Sequence, residues 1–231
     1  MRTLLRSTVI VAIAFFVIGG FAVNEASGQD VINTVLTRMN EHNKSLKSLR
    51  SSVTMVKVNE QLGGVTDTTE GSVAYLPQAK QRPYIRINWI RPEESMAVIN
   101  NQYVIYRPSL KQAYTGNVDK ASGNANAGGA LAFMSMSRAQ LRANYDLTYM
   151  GEVSIKGGIK TWHLKMKPKT RTNYKEAEIW VDVDGMPLQS KVTEHNGDST
   201  TILLHGLQKN ATIKSTEFEI KLPKGTNIVK S

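Results

Sequence analysis

After one amphipathic stretch, this chain is a succession of short segments in which apolar and polar residues alternate, and that succession constrains the fold more than any other feature. Ile85, Ile87 and Trp89 fall on one face of one segment, and Trp162, Leu164 and Met166 on one face of another. Similar runs lie at Val53 to Val58, Ser72 to Leu76, Met96 to Ile99, Tyr103 to Tyr106, Asp146 to Val153, Glu176 to Val183, Leu188 to Glu194, Thr200 to Leu204 and Glu217 to Leu222. The sequence therefore predicts about eleven strands. Asp184-Gly185 and Asn196-Gly197 place residues tolerant of positive φ between alternating segments, so the C-terminal half reads as an antiparallel meander. A sheet of so many strands curls under its own twist, and a curled sheet with one apolar inner face encloses a volume.

Two things can fill that volume: the chain's own side chains, as an ordinary core, or cargo that comes and goes. From Asp30 to Leu49, the residues Val31, Ile32, Val35, Leu36, Met39, Leu46 and Leu49 recur at helical spacing, which predicts one amphipathic helix with Asp30 as a cap and an apolar stripe to lay on the sheet. A Gly- and Asn-rich stretch, Gly116 to Gly129, precedes Ala130, Leu131, Ala132, Phe133, Met134 and Met136, and Ser137 to Asn144 reads as a capped second helix. An apolar helical piece on a glycine hinge is what a movable lid requires. The same Leu131, Phe133, Met134 and Met136 also suit a fixed helix covering a core, because Met packs well in either setting.

The first residues read as an address. Arg2 and Arg6 precede an apolar run from Val9 to Val23, and Ala26-Ser27-Gly28 offers small residues for cleavage, so residues 1–28 are expected to be a signal peptide and the mature chain to begin near Gln29. Residues 29–231 read as a single domain. With no cysteine, the chain has no disulfide, no thiolate metal site, no cysteine nucleophile and no lipidated N-terminal cysteine. A formal charge of +10 favours anionic surfaces and acidic partners. The cations look scattered along the sequence rather than gathered in one block, and nucleic acid is not an expected partner.

Recognisable reaction chemistry is missing. The four histidines, His42, His163, His195 and His205, lack metal-ligand spacing, and Asp182 and Asp184 before Gly185 read as a hairpin turn rather than the start of a calcium loop. Glu93 and Glu94 are neighbours on a strand and point to opposite faces, which does not suit an acid pair. No serine-nucleophile elbow, phosphate loop or dinucleotide fingerprint occurs. The expectation is a protein that is not an enzyme, has no metal site and uses no cofactor.

Several segments, in order, are similar to the lipoprotein-carrier (LolA) family. They are Gly71-Ser-Val-Ala-Tyr-Leu76; Arg82-Pro-Tyr-Ile-Arg-Ile-Asn-Trp-Ile-Arg-Pro92 with Glu93 to Val98; and Tyr103-Val-Ile-Tyr-Arg-Pro108. Near the end come Glu178 to Leu188, Glu194-His-Asn-Gly-Asp198, Leu207 to Asn210 and Phe218 to Gly225. The resemblance implies an incomplete, unclosed antiparallel β-barrel with a helical lid at its mouth. It implies a periplasmic carrier that takes acylated lipoproteins from an inner-membrane ATP-driven exporter and releases them to an outer-membrane acceptor. It also implies an arginine beside a proline that holds the lid closed, for which Arg82 is the best match and Arg86 the second. The Asp-Gly turn that the family places before its central tyrosine strand is Asn100-Asn101 here. Trp89, Leu131, Phe133, Met134 and Met136 are the expected cargo contacts, and a monomer is expected because the mouth must stay accessible. The same scaffold also serves carriers of other lipids or glycolipids and sensors of the RseB type.

Overall fold

The computed structural model describes residues 25–78, 82–118 and 136–230. Helix α1 spans Glu25–Ser45, and the strands are β1 Leu49–Asn59, β2 Val65–Leu76, β3 Tyr84–Ile90, β4 Glu93–Ile99, β5 Gln102–Arg107 and β6 Gln112–Asn117. A short helix α2, Arg138–Asn144, leads into β7 Tyr145–Ile155, β8 Ile159–Pro168, β9 Tyr174–Asp182, β10 Pro187–Glu194, β11 Ser199–Lys209 and β12 Asn227–Lys230. All twelve form one sheet, in the order β12-β6-β5-β4-β3-β2-β1-β11-β10-β9-β8-β7. The sheet has two edges, so it is not closed into a barrel. Every pairing is antiparallel except β12 with β6, which is parallel.

Ten of the expected strands are present, and three differences have physical causes. The alternating run Glu217 to Leu222 is not a strand. The 3-10 turn Ser215–Phe218 replaces it, with reciprocal Lys214–Glu217 capping and Phe218 fully buried beside Tyr84, their rings 5.8 Å apart. This segment crosses the sheet instead of pairing within it, and one buried aromatic anchors it. Strand β6 was hidden in the sequence by Gly116, which reads as the start of a loop. Strand β12 was hidden because all four of its residues are exposed and carry no alternation.

Helix α1 starts five residues before Asp30, so Asp30 lies within the helix instead of capping it. Its stripe of Ile32, Val35, Leu36 and Met39 is buried against Leu164 and Met166 of β8 and Ala177, Ile179 and Val181 of β9. Each large aliphatic side chain removed from water there contributes about 1.5–3 kcal/mol. The β9–β10 turn locks the helix down. Asp182 accepts from the amides of Asp184 and Met186 at 2.9 and 2.8 Å, and Gly185 has φ +84°. A Cβ at Gly185 would lie 2.3 Å from the Arg38 carbonyl, so only glycine permits this approach. Arg38 closes the contact by donating to the Val183 carbonyl at 2.6 Å while its guanidinium lies over Trp162. Asp182 and Asp184 thus form a turn, as their spacing predicts. Helix α2 is held by the Ser137–Gln140 capping box, also as expected.

Candidate functional site

Strand register defines one continuous face. Ile202 of β11 and Ser190 of β10 align with Ile179 of β9 and Leu164 of β8 under α1, and Met55 and Val53 of β1 align with Ile202 and Leu204. On the other side of β1 the same face continues through Val73, Ile87, Met96, Ile105 and Tyr114 in one row, and through Tyr75, Ile85, Val98 and Tyr103 in the next. Burial fades along the first row. Val73 and Ile87 are buried, whereas Met96, Ile105 and Tyr114 are only half-buried. Tyr75, Ile85, Val98 and Tyr103 are half-buried as well.

Strands β2 to β6 therefore present a wall of seven incompletely covered apolar and aromatic side chains on the face that α1 covers elsewhere. Partial burial raises the Tyr75 hydroxyl above its ordinary pKa, so the hydroxyl stays neutral. At one margin of the wall Arg107 pairs with Glu94 at 2.6 Å and lies over the Tyr114 ring, which holds its charge at the rim. These seven Met, Ile, Val and Tyr side chains carry no formal charge and keep part of their surface uncovered, which suits contact with hydrocarbon. Among the described residues no group of three or more His, Cys, Asp or Glu could hold a metal ion.

The sequence-predicted residues distribute unevenly around this wall. Trp89 is 6% exposed and belongs to the core with Val53, Val73 and Ile87; its ring packs so closely on Gly71 that a Cβ there would meet it at 2.9 Å. Met136 is half-buried against the α1 cluster. Leu131, Phe133 and Met134 lie outside the described residues. Arg82 is exposed just before β3.

Arg86 lies on the opposite face of the sheet. Its guanidinium donates to the carbonyls of Glu217 and Glu219 at 3.2 and 2.7 Å, and to Asn88 Oδ1 at 3.0 Å. There, beside Arg50, Ser72, Asn88 and Glu217, it lines a polar groove of about 480 Å³. Arg50 binds Glu217 directly and holds its carboxyl below the ordinary pKa. Arg86 thus fastens the C-terminal crossing to the sheet. Asn100 and Asn101 both adopt positive φ, so they make the tight turn that Asp-Gly would. Sequence reasoning missed Met96, Val98, Tyr103 and Ile105 as wall residues, because β4 and β5 carry apolar residues on both faces and period-two alternation does not separate inside from outside, and it missed Tyr114 because Gly116 hides β6.

The comparisons agree with this architecture. The family described as "Outer membrane lipoprotein carrier protein LolA" matches residues 57–221. An outer-membrane lipoprotein carrier protein of Pseudomonas syringae pv. tomato is 25% identical, with 98% of each chain covered, and one of Azotobacter vinelandii is 23% identical over 90% of this chain and 93% of that protein. Among solved structures, a conserved protein of Thermus thermophilus superposes with a TM-score of 0.56 at 15% identity, covering 87% of this chain and 99% of that one. MucB superposes with a TM-score of 0.52 at 17% identity, covering 86% of this chain and 64% of MucB. With the family match spanning β1 to the C-terminal crossing, and a half-covered apolar wall on the same face as the first helix, the chain belongs to the LolA family of outer membrane lipoprotein carrier proteins.

Proposed function

We propose that this protein is a periplasmic carrier that shields the acyl chains of lipoproteins between an inner-membrane exporter and an outer-membrane acceptor. The observation that carries the reading is the wall formed by Tyr75, Ile85, Met96, Val98, Tyr103, Ile105 and Tyr114. Each methylene removed from water is worth about 0.8 kcal/mol, and an acyl chain has on the order of sixteen, so an apolar face of this extent is a strong host for hydrocarbon. Cargo must also leave. Affinity is therefore set by the balance between a closed, empty form and an open, loaded one.

In this proposal residues 1–28 are removed on export, Leu131, Phe133, Met134 and Met136 close over the wall and touch cargo, and Arg82 holds the closed form. Trp89 packs beside the wall, on the same face of β3 as Ile85. Loading and release are driven by the partners, since the chain carries no nucleotide-binding motif. The test is mass spectrometry of ligands that co-purify from a periplasmic extract. Acylated lipoprotein is the expected finding; a free lipid alone would reassign the cargo. Arg82→Leu is expected to load cargo but release it several-fold more slowly, measured as transfer to acceptor membranes. Wild-type loading and release in that variant would remove Arg82 from the mechanism.

A further inference from the structure

The cations that look scattered along the sequence are concentrated in space. Helix α2 and the stretch from Lys165 to Lys175 together hold Arg138, Arg142, Lys165, Lys167, Lys169, Arg171 and Lys175, seven of the chain's 29 cations and none of its 19 acids. The remainder, 22 against 19, is close to balance. The two segments meet directly: the Lys169 amide donates to the Asn144 carbonyl at 2.9 Å, and its ammonium donates to the Arg142 carbonyl at 2.7 Å. Lys165 is neutralised by Glu176 at 2.8 Å. The others are not. Arg138 and Arg142 are oriented by neutral groups, Thr37 Oγ1 and Asn33 Oδ1, and Lys169 has only the distant, largely exposed Asp146 at 3.9 Å. Lys167, Arg171 and Lys175 are exposed and make no ion pair among the described residues.

A second feature sits at the same end of the sheet. The β1–β2 hairpin runs past the end of β3, because β3 closes at Trp89 opposite Gly71 while β2 begins at Val65. Its turn, through Gly63 and Gly64 at positive φ, carries Leu62 at 66% and Val65 at 58% exposure, two of the most exposed large apolar side chains described. Nothing among the described residues covers them. The β10–β11 turn links this tip to the cationic hairpin: the Glu60 amide donates to Asp198 on one side, and His195 meets the Thr172 carbonyl at 3.0 Å on the other.

We propose that this end of the protein docks on an anionic phospholipid surface, with Leu62 and Val65 entering the acyl boundary and Lys167, Lys169, Arg171, Lys175, Arg138 and Arg142 facing the head groups. Isolated exposed apolar residues are ordinary, and so are isolated cations. A projecting apolar tip joined to a cluster of six cations, of which only Lys169 has an ion pair among the described residues, a long one with the exposed Asp146, has the two-part chemistry that holds proteins at membrane interfaces, where each cation strengthens binding several-fold and salt weakens it. An acidic protein partner would use the charge but gives the apolar tip no role. The proposal does not depend on the carrier reading, although a docked carrier would deliver its cargo close to a bilayer.

The test is flotation of the purified protein with vesicles of phosphatidylcholine alone or with about a third phosphatidylglycerol. Binding is expected only to the anionic vesicles and is expected to fall at least tenfold at high salt. The double variant Lys169→Glu/Arg171→Glu is expected to lose at least tenfold, and Leu62→Ser/Val65→Ser a further several-fold at low salt, both with unchanged melting temperature and unchanged cargo loading. Equal binding to neutral vesicles, no binding at low salt, or wild-type binding by either variant would overturn the proposal. Loss of cargo loading with vesicle binding intact would instead sink the carrier reading alone.

Discussion

The two halves of the inner face use the same kind of side chain for opposite ends. Under α1, Leu164, Met166, Ala177 and Ile179 are wholly buried, and the helix is seated by a glycine turn that admits no Cβ. Across β1, the face continues in register through Met96, Ile105 and Tyr114, yet these remain half-buried. A packed interior gains contact on every side and tolerates little change. A wall left partly uncovered keeps free energy in reserve for whatever covers it. The first half behaves as scaffold and the second as host, and a pair of substitutions in equivalent settings can test that division.

The most damaging change should be one that unseats the helix. Gly185→Val would drive a side chain into the Arg38 and Met39 backbone and demand a positive φ of a β-branched residue. A loss of about 4 kcal/mol or more is expected, read as a lower denaturation midpoint. If the midpoint were unchanged, the helix would not be seated as described and the contrast between the halves would collapse.

Ile179 and Ile105 make a sharper comparison, since they are the same residue on the same face. Ile179→Ala should cost about 4 kcal/mol, as full burial leaves a cavity. Ile105→Ala should cost about 1–2 kcal/mol because part of its surface never left water, while weakening acyl-chain binding several-fold. Equal losses of stability from both, with no change in binding, would mean that the wall is ordinary core.

This division was only half legible in the sequence. Strands β8 and β9 have a clean alternation, so Trp162, Leu164 and Met166 could be assigned to the inner face, and the helix that covers them has a clear 3.6-residue stripe. In β4 and β5 the outward residues Ala97, Val104 and Tyr106 are also apolar or aromatic, because the C-terminal crossing passes over that side with Phe218. Alternation vanishes wherever both faces are covered. The same crossing explains why Phe218 to Leu222 imitates a strand, and why Arg86, outward by parity, is engaged by backbone carbonyls rather than by water. Trp89 was correctly read as inward. That it is packed into the core while Ile85 on the same face is half-buried depends on Gly71 across the strand pair, which pairing register reveals and local sequence does not.

The smallest expected effect concerns how firmly the scaffold half holds at low pH. His42, on the last turns of α1, is buried, and its Nε2 has no hydrogen-bond partner. Burial lowers its pKa below the ordinary value of 6.5, and the positive charge of Lys209 lowers it further, outweighing Asp182 and Asp184. The folded form therefore resists a proton that the unfolded chain accepts, so unfolding takes up a proton below about pH 6.5 and stability must fall as the pH drops from there toward the folded-state value. Glu217, held in its charged form by Arg50 on the C-terminal crossing, loses its contribution only at still lower pH, below the ordinary carboxylate value of 4.5. Melting curves should thus show a modest decline between pH 7 and 5 that His42→Gln flattens, and a separate decline below it that Glu217→Gln flattens. A His42→Gln variant that kept the full decline between pH 7 and 5 would place the acid-sensitive contact outside the helix and its seat.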